Sequence, residues 1–490
     1  MSDVMPFGVL VGLVAAAMLL AVLSNRLSTR LRVPAPALFL LAAAVASDVV
    51  PQLRVVPIET VQRIVTVALA VILFDGGMHI GRRRLRSAAG AIVWIGTAGT
   101  LVTAAAVAVL AHFLFGLDWV PALLIGTALA PTDPAVVFSV LGRREVSGRS
   151  GVILEGESGA NDPVGIALMV ALLAASGASG LGAVWTGVGE FALQMVVGAA
   201  VGIAGGFGLS LFIRRVPLPS EGLYALRTLA SVFVIYGVAT FAHGSGFLAV
   251  FVAGIILGDV RAPYKREIER FHGSLASLGE IVAFTVLGLT VSLRSLPDGH
   301  AWQIGLVLAV LLAFLVRPLL VGILLLPVKL HWGERIFVLW SGLKGAVPIL
   351  LGTFVLASGL PGATQIYDII FVVVAFSVIV QGGLVPFLAH KAGVPMRLVE
   401  PEPWSLGVRL REEPDGVTRF FVKAGSAADG TAIQDLDLGE DVWISIVVRD
   451  GRLLPVRSDT TLEAGDEVLA VVDPASSGES THVFTGVDKE

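Results

Sequence analysis

Glu157-Ser158-Gly159-Ala160-Asn161-Asp162-Pro163 stands at the head of the apolar run Val164-Gly165-Ile166-Ala167-Leu168-Met169-Val170-Ala171-Leu172-Leu173. Hydrocarbon is the expected surrounding of such a run, and an ionised group there costs at least about 2.5–3.5 kcal/mol. Two acids and an amide kept at that price point to use, and the natural use is moving a small cation. On either side, apolar windows long enough to cross about 30 Å of hydrocarbon recur at 6–23, 33–50, 60–76, 88–115, 120–141, 160–176, 186–213, 221–242, 245–260, 275–292, 301–327, 335–357 and 364–388. They predict an all-α polytopic membrane protein of about thirteen transmembrane helices.

Composition agrees. Hydrophobic residues make up 55% and charged residues 15% of the chain, against about 25% charged in soluble domains. A net charge of −4 gives no argument for nucleic acid, and the absence of cysteine excludes disulfides, thiolate chemistry and Cys-based metal sites. No cofactor is expected. The first window follows Asp3 and lacks a small-residue cleavage site, so it reads as a span and not as a signal peptide.

Lys and Arg mark one set of alternate loops: Arg26, Arg30 and Arg32; Arg82, Arg83, Arg84 and Arg86; Arg143, Arg144 and Arg149; Arg214 and Arg215; Arg261, Lys265, Arg266 and Arg270; Lys329. The other set carries little beyond Arg54 and Arg294. That bias predicts a multi-pass protein of the cytoplasmic membrane, its N-terminus outside and its C-terminal domain in the cytoplasm. The membrane domain is expected over 1–392 and a linker over 393–402. A small α+β cytosolic domain follows over 403–475, with strands at 442–449 and 467–472 and a tight hairpin at Asp450-Gly451. Residues 476–490 read as a tail without order.

The fifth window is interrupted by Ala130-Pro131-Thr132-Asp133-Pro134 and the twelfth by Gly342-Leu343-Lys344-Gly345-Ala346-Val347-Pro348. Each proline frees the carbonyl four residues before it, here those of Thr127, Ala130 and Lys344. Broken backbone at membrane depth is tolerated where it is buried in protein or lines a cavity, and paired breaks mark a transporter's binding site. Windows one to six and eight to thirteen form two six-helix units, each broken in its fifth member. The odd window between them makes the repeats inverted.

Ser158 and Asp162 lie one helical turn apart and share a face, while Glu157 and Asn161 share the neighbouring one. A hydroxyl, a carboxylate and freed carbonyls supply the all-oxygen shell that a hard cation prefers. A proton and a cation compete for Asp162, and that competition gives exchange. Asn161 leaves one titrating acid in the Asn-Asp pair, which predicts one-for-one, electroneutral transport.

The run Leu73-Phe74-Asp75-Gly76-Gly77, the Thr132-Asp133-Pro134 break, the segment 157–163 and the segment 342–348, in this order, resemble the monovalent cation:proton antiporter-1 family, and most closely its bacterial potassium/proton branch. The resemblance covers about 6–390. It implies a homodimeric secondary antiporter exchanging K⁺, or alternatively Na⁺, for H⁺ through an elevator-like movement. By that likeness Asp162 and Ser158 are cation ligands, Thr132 contributes backbone and hydroxyl, and Asn161 fastens the unwound strand. Asp133 is read either as part of this site or as the cap of the second half-helix. Glu157 is expected to pair with Lys344, where the family commonly has Arg; Lys is a point charge that can lose its proton.

The C-terminal residues Phe420-Phe421-Val422, Asp435-Leu436, 442–451 and 461–469 resemble the TrkA-C-like subdomain of potassium-conductance regulators. This implies a regulatory or dimerising module with a possible small-molecule ligand such as a nucleotide. Two rivals from other classes are weaker. A tail-gated potassium channel subunit calls for a Thr-x-Gly-Tyr-Gly filter, and a membrane-embedded enzyme for a His-Glu-x-x-His or Gly-x-Ser-x-Gly signature; the sequence contains none of these. Arg317 and Glu280, two further intramembrane charges, are candidates to pair with each other.

Overall fold

The computed structural model describes residues 34–50, 53, 56–141, 144–146, 149–176, 181–260, 262–398, 417–436, 438, 442–449, 452–472 and 482–485. The window at 6–23, and with it the reading of the N-terminus, lies outside the described residues. Every later window holds a helix or a pair of half-helices. These are α1 Ala35–Val49, α2 Ile58–Trp94, α3 Thr100–Phe115, α4 Trp119–Ala128, α5 Pro134–Leu141, α6 Arg149–Ala175, α7 Leu181–Arg215 and α8 Glu221–Phe241. They continue as α9 Gly246–Gly258, α10 Lys265–Leu289, α11 Ala301–Leu311, α12 Trp332–Trp340, α13 Ala346–Ala357, α14 Ala363–Phe376 and α15 Val385–Lys391. Among the described residues, 8 helices are long and apolar enough to cross a membrane, with α1, α4, α9 and α13 as shorter apolar helices between them.

The helices divide by what surrounds them. Most of α6 is buried in protein, whereas α7 and α8 expose Val196, Val234 and Phe241. A helix that keeps large apolar side chains exposed needs lipid around it. At the buried centre, α2 and α9 approach closely through Gly77 and Gly81 on one and Gly254 and Gly258 on the other. A Cβ on Gly254 would strike the Phe74 carbonyl, and one on Gly77 would strike backbone of Phe251. Small residues four apart on both helices let backbones touch where lipid offers no hydrophobic drive. Gly81 adopts φ +60° and kinks α2, so the basic cluster at 82–86 continues a bent helix instead of occupying a loop.

One window is longer than hydropathy suggested. α6 starts at Arg149, so the 157–163 segment lies in the middle of a helix with Pro163 inside it, and not at its head. Glu155 and Glu157 lower the local hydropathy, but partners inside the protein allow the helix to continue through them.

The chain divides into two compact units near residue 405. In the first, β1 Arg144–Val146 pairs antiparallel with β2 Met396–Leu398; in the second, β3 Val417–Phe421, β4 Val442–Arg449, β5 Arg452–Leu454 and β6 Glu467–Val472 form an antiparallel sheet in the order β3-β6-β4-β5. β4 and β6 coincide with the strands read from the sequence, and Arg449 pairs with Arg452 across the expected hairpin. Phe420, Ile444, Val447, Val468 and Ala470 form its core. The tail expectation is corrected at 482–485: these residues form a helical turn, and buried Phe484 stacks on Phe420 with centroids 4.6 Å apart. The burial of one aromatic ring and the bonds from Lys423 N–H to the Phe484 carbonyl and from Ala428 N–H to the Val483 carbonyl account for that order.

Candidate cation site

Both predicted breaks are present. α4 ends at Ala128 and α5 starts at Pro134; α12 ends at Trp340 and α13 starts at Ala346. The two unwound segments are bonded to each other: Asp133 N–H donates to the Leu343 carbonyl at 2.8 Å. Lys344 Nζ donates to the Ala130 and Pro131 carbonyls, 3.0 Å each, so the ammonium satisfies the carbonyl that Pro134 leaves unpaired and the one beside it. Lys344 N–H donates to Ser377 Oγ at 3.0 Å, and Ser377 Oγ donates to Gln381 Oε1 at 3.1 Å. Gly342 and Gly345 make the approach possible, because a Cβ on the first would meet the Arg317 guanidinium and one on the second the Asp133 carboxyl.

Thr132 is gripped twice by one amide. Asn161 Nδ2 donates to Thr132 Oγ1 at 2.7 Å, and Thr132 N–H donates to Asn161 Oδ1 at 3.2 Å. Asp133 Oδ1 accepts from Ala135 N–H at 2.9 Å, and the N–H groups of Val136 and Ala346 also face its carboxyl. It therefore joins the positive ends of α5 and α13, which accords with the capping alternative.

Asp162 is buried at 7% exposure, and its Oδ1 has no hydrogen-bond partner. The charges that reach it are Asp133 and Lys344. Ser158 is buried on the same face one turn earlier. The structure thus gathers Asp162, Ser158, Asn161, Thr132, Asp133 and Lys344 around the crossing.

The Glu157–Lys344 pair is corrected. Glu157 Oε1 instead accepts from Arg317 Nη2 at 2.9 Å, with both side chains buried. The same guanidinium donates through Nε to the Leu339 carbonyl at 2.8 Å. Its planar fork serves a carboxylate and a carbonyl together, which a lysine ammonium does not match, while Lys344 is committed to the first break. This also removes the Arg317–Glu280 pairing. Arg317 was legible as an intramembrane charge, but its partner was not. It sits beside Pro318 in a π-helical stretch, Leu312–Val321, and is buried there. Ser377 and Gln381 carried no signal beyond two polar residues in an apolar window.

The chain matches the transmembrane sodium/hydrogen exchanger family over residues 14–391 and the TrkA-C domain over 417–479. It is 33% identical over 470 residues to the K(+)/H(+) antiporter NhaP2 of Shewanella oneidensis, covering 94% of this chain and 80% of that one. It is also 33% identical over 410 residues to the K(+)/H(+) antiporter NhaP of Alkalimonas amylolytica, covering 83% and 71%. In fold it resembles the sodium proton antiporter MjNhaP1 from Methanocaldococcus jannaschii, with a TM-score of 0.66 at 22% identity, covering 78% of this chain and 98% of that one.

Proposed function

Because the chain belongs to the sodium/hydrogen exchanger family, we propose that it exchanges K⁺ for H⁺ across the cytoplasmic membrane, with cation and proton competing for Asp162. The observation that carries the mechanism is the partnerless, buried Asp162 Oδ1. A buried acceptor left unpaired costs about 1–3 kcal/mol, and more when charged, so the carboxyl gains by taking either a proton or a cation.

Asp162, Ser158 and the Thr132 hydroxyl supply oxygen to the cation, and Asn161 holds Thr132 in place. Asp133 ties the two half-helix ends together. The Glu157–Arg317 pair fastens α6 to the π-helical stretch. Lys344 holds two carbonyls that an ion would otherwise use. The names of the relatives and the TrkA-C domain favour K⁺; Na⁺ is the alternative. Binding of one proton or one cation at Asp162 gives one-for-one exchange, and reversal potentials that followed membrane voltage would contradict it. The reading includes a homodimer, an outside N-terminus and a cytosolic TrkA-C domain that senses a small ligand such as a nucleotide.

The test is cation-evoked collapse of an imposed pH gradient in vesicles, comparing K⁺, Na⁺ and Li⁺. Wild type is expected to respond best to K⁺ and Asp162→Asn to none. A variant exchanging at the wild-type rate ends the proposal.

A further inference from the structure

In an unbroken helix the Lys344 N–H would donate to the Trp340 carbonyl, four residues before it. Across the second break that bond is open, and each of its ends needs another partner. Both find one on the π-helical stretch Ser377–Gln381 that follows α14. Lys344 N–H donates to Ser377 Oγ at 3.0 Å, Ser377 Oγ donates to Gln381 Oε1 at 3.1 Å, and Gln381 Nε2 donates to the Trp340 carbonyl at 2.7 Å. Two side chains are thus spliced into one missing helical bond. Trp340 Nε1 closes the clamp with a 3.0 Å bond to the Gln381 carbonyl, and Ser377, Gln381 and Lys344 are all buried.

The first break is served in the same way. Thr132 N–H, whose helical acceptor would be the Ala128 carbonyl, donates instead to Asn161 Oδ1. Asn161 lies in the sixth window of the first six-helix unit and Gln381 in the sixth window of the second. Each broken fifth member is therefore held by an amide from the sixth member of its own unit.

The Gln381 clamp reaches the cation site through a continuous set of hydrogen bonds. Lys344 Nζ holds the Ala130 and Pro131 carbonyls, and the adjacent Leu343 carbonyl accepts from Asp133 N–H. Pro131 and Asp133 flank Thr132. Whatever fixes the backbone at 343–344 therefore fixes the backbone on both sides of Thr132, while Asn161 fixes Thr132 itself. A π-helical stretch is a frequent companion of functional sites, and this one carries both clamp side chains.

We propose that Gln381, acting through Ser377, is a positioning residue for cation binding: it sets the backbone of the second break and so the place of Thr132 opposite Asp162. Gln381 itself touches no ion. The proposal rests on the reading of Asp162 and Thr132 as cation ligands.

The experiment uses the full chain in vesicles, recording exchange against K⁺ concentration for wild type, Gln381→Met, Ser377→Ala, Asn161→Ala, the double variant Asn161→Ala/Gln381→Met, and Asp162→Asn. Gln381→Met, which keeps the bulk and removes the bonds, should raise half-saturating K⁺ by about threefold to tenfold, the scale of one lost hydrogen bond. Its maximal rate should stay within about twofold, because the loss falls on binding. Ser377→Ala should move half-saturating K⁺ in the same sense. Because both amides hold the same residue, the double variant should raise half-saturating K⁺ by less than the product of the two single effects. A lower maximal rate with half-saturating K⁺ unmoved is the mark of a merely structural residue and overturns the proposal, as do single effects that multiply. If Gln381→Met fails to insert, Ser377→Ala decides: a raised half-saturating K⁺ supports the clamp and an unchanged one overturns it. Exchange by Asp162→Asn at the wild-type rate would instead remove the underlying reading, whatever the clamp variants do.

Discussion

Two turns of α6 treat their acids in opposite ways. At Glu157 the buried carboxylate is ion-paired through Oε1 to Arg317, whose guanidinium also holds the Leu339 carbonyl, while Oε2 has no hydrogen bond. Five residues on, the buried Asp162 carboxyl makes no ion pair or hydrogen bond among the described residues. The first arrangement is that of a fastening, in which a charge is neutralised inside the protein. The second leaves its neutralisation to something that comes and goes. Burial and charge are alike at the two positions, so it is the partner that separates structure from transport.

The comparison breaks most readily at Asp162. Asp162→Asn should lower exchange by about a hundredfold or more, the scale of losing a proton-carrying group, while its thermal midpoint in detergent holds or rises. A large fall in that midpoint would mean that Asp162 is a fastening too. Glu157→Gln should do the reverse, costing about 3–5 kcal/mol by stranding a buried guanidinium. Adding Arg317→Met should recover part of that loss, whereas Lys344→Met should simply add to it. Recovery with Lys344 instead would restore the pairing expected from the sequence.

A smaller effect should follow at the clamp between the two turns. Asn161→Ala frees the Thr132 backbone, with an expected cost of about 1–3 kcal/mol, seen as a higher half-saturating K⁺ with the protein still inserted. An unchanged K⁺ dependence would remove Thr132 from the ligand set.

The smallest effect belongs to the second unit, where the same logic of a satisfied charge operates. Burial alone would raise the Asp466 carboxyl, but hydrogen bonds from Arg449 and from Glu463 N–H, with the guanidinium charge, hold it below its ordinary value. A carboxylate lowered on folding stabilises above its unfolded value of about 3.9, and the stability is lost as pH falls through the folded value. Proteolysis of the full chain should therefore show the unit opening below about pH 4. Asp466→Asn should weaken it by about 1.5–3 kcal/mol at neutral pH. A flat pH response in wild type would show that the Arg449 bonds do not contribute.

Much of this was readable in the residues. Hydropathy placed the windows that the helices occupy, because each apolar segment must satisfy its own backbone in lipid. The prolines placed both breaks, since a missing N–H cannot be compensated locally. Helical spacing put Ser158 beside Asp162 and Glu157 beside Asn161. What misled was partner choice. Lys344 stands in a motif and Arg317 in an apolar run without one, yet the guanidinium bonds Glu157 and the ammonium bonds Ala130 and Pro131.

The chain alone therefore determined where it spans, where it breaks and which acids stand at membrane depth, because these follow from local composition and from the chemistry of proline. Only the tertiary structure decided which charges are satisfied. Those pairings join residues more than a hundred positions apart, as Glu157 with Arg317 and Lys344 with Ala130. They depend on how a guanidinium fork or an ammonium fits the space left by glycines on a neighbouring segment, and no periodicity in a single segment encodes that fit.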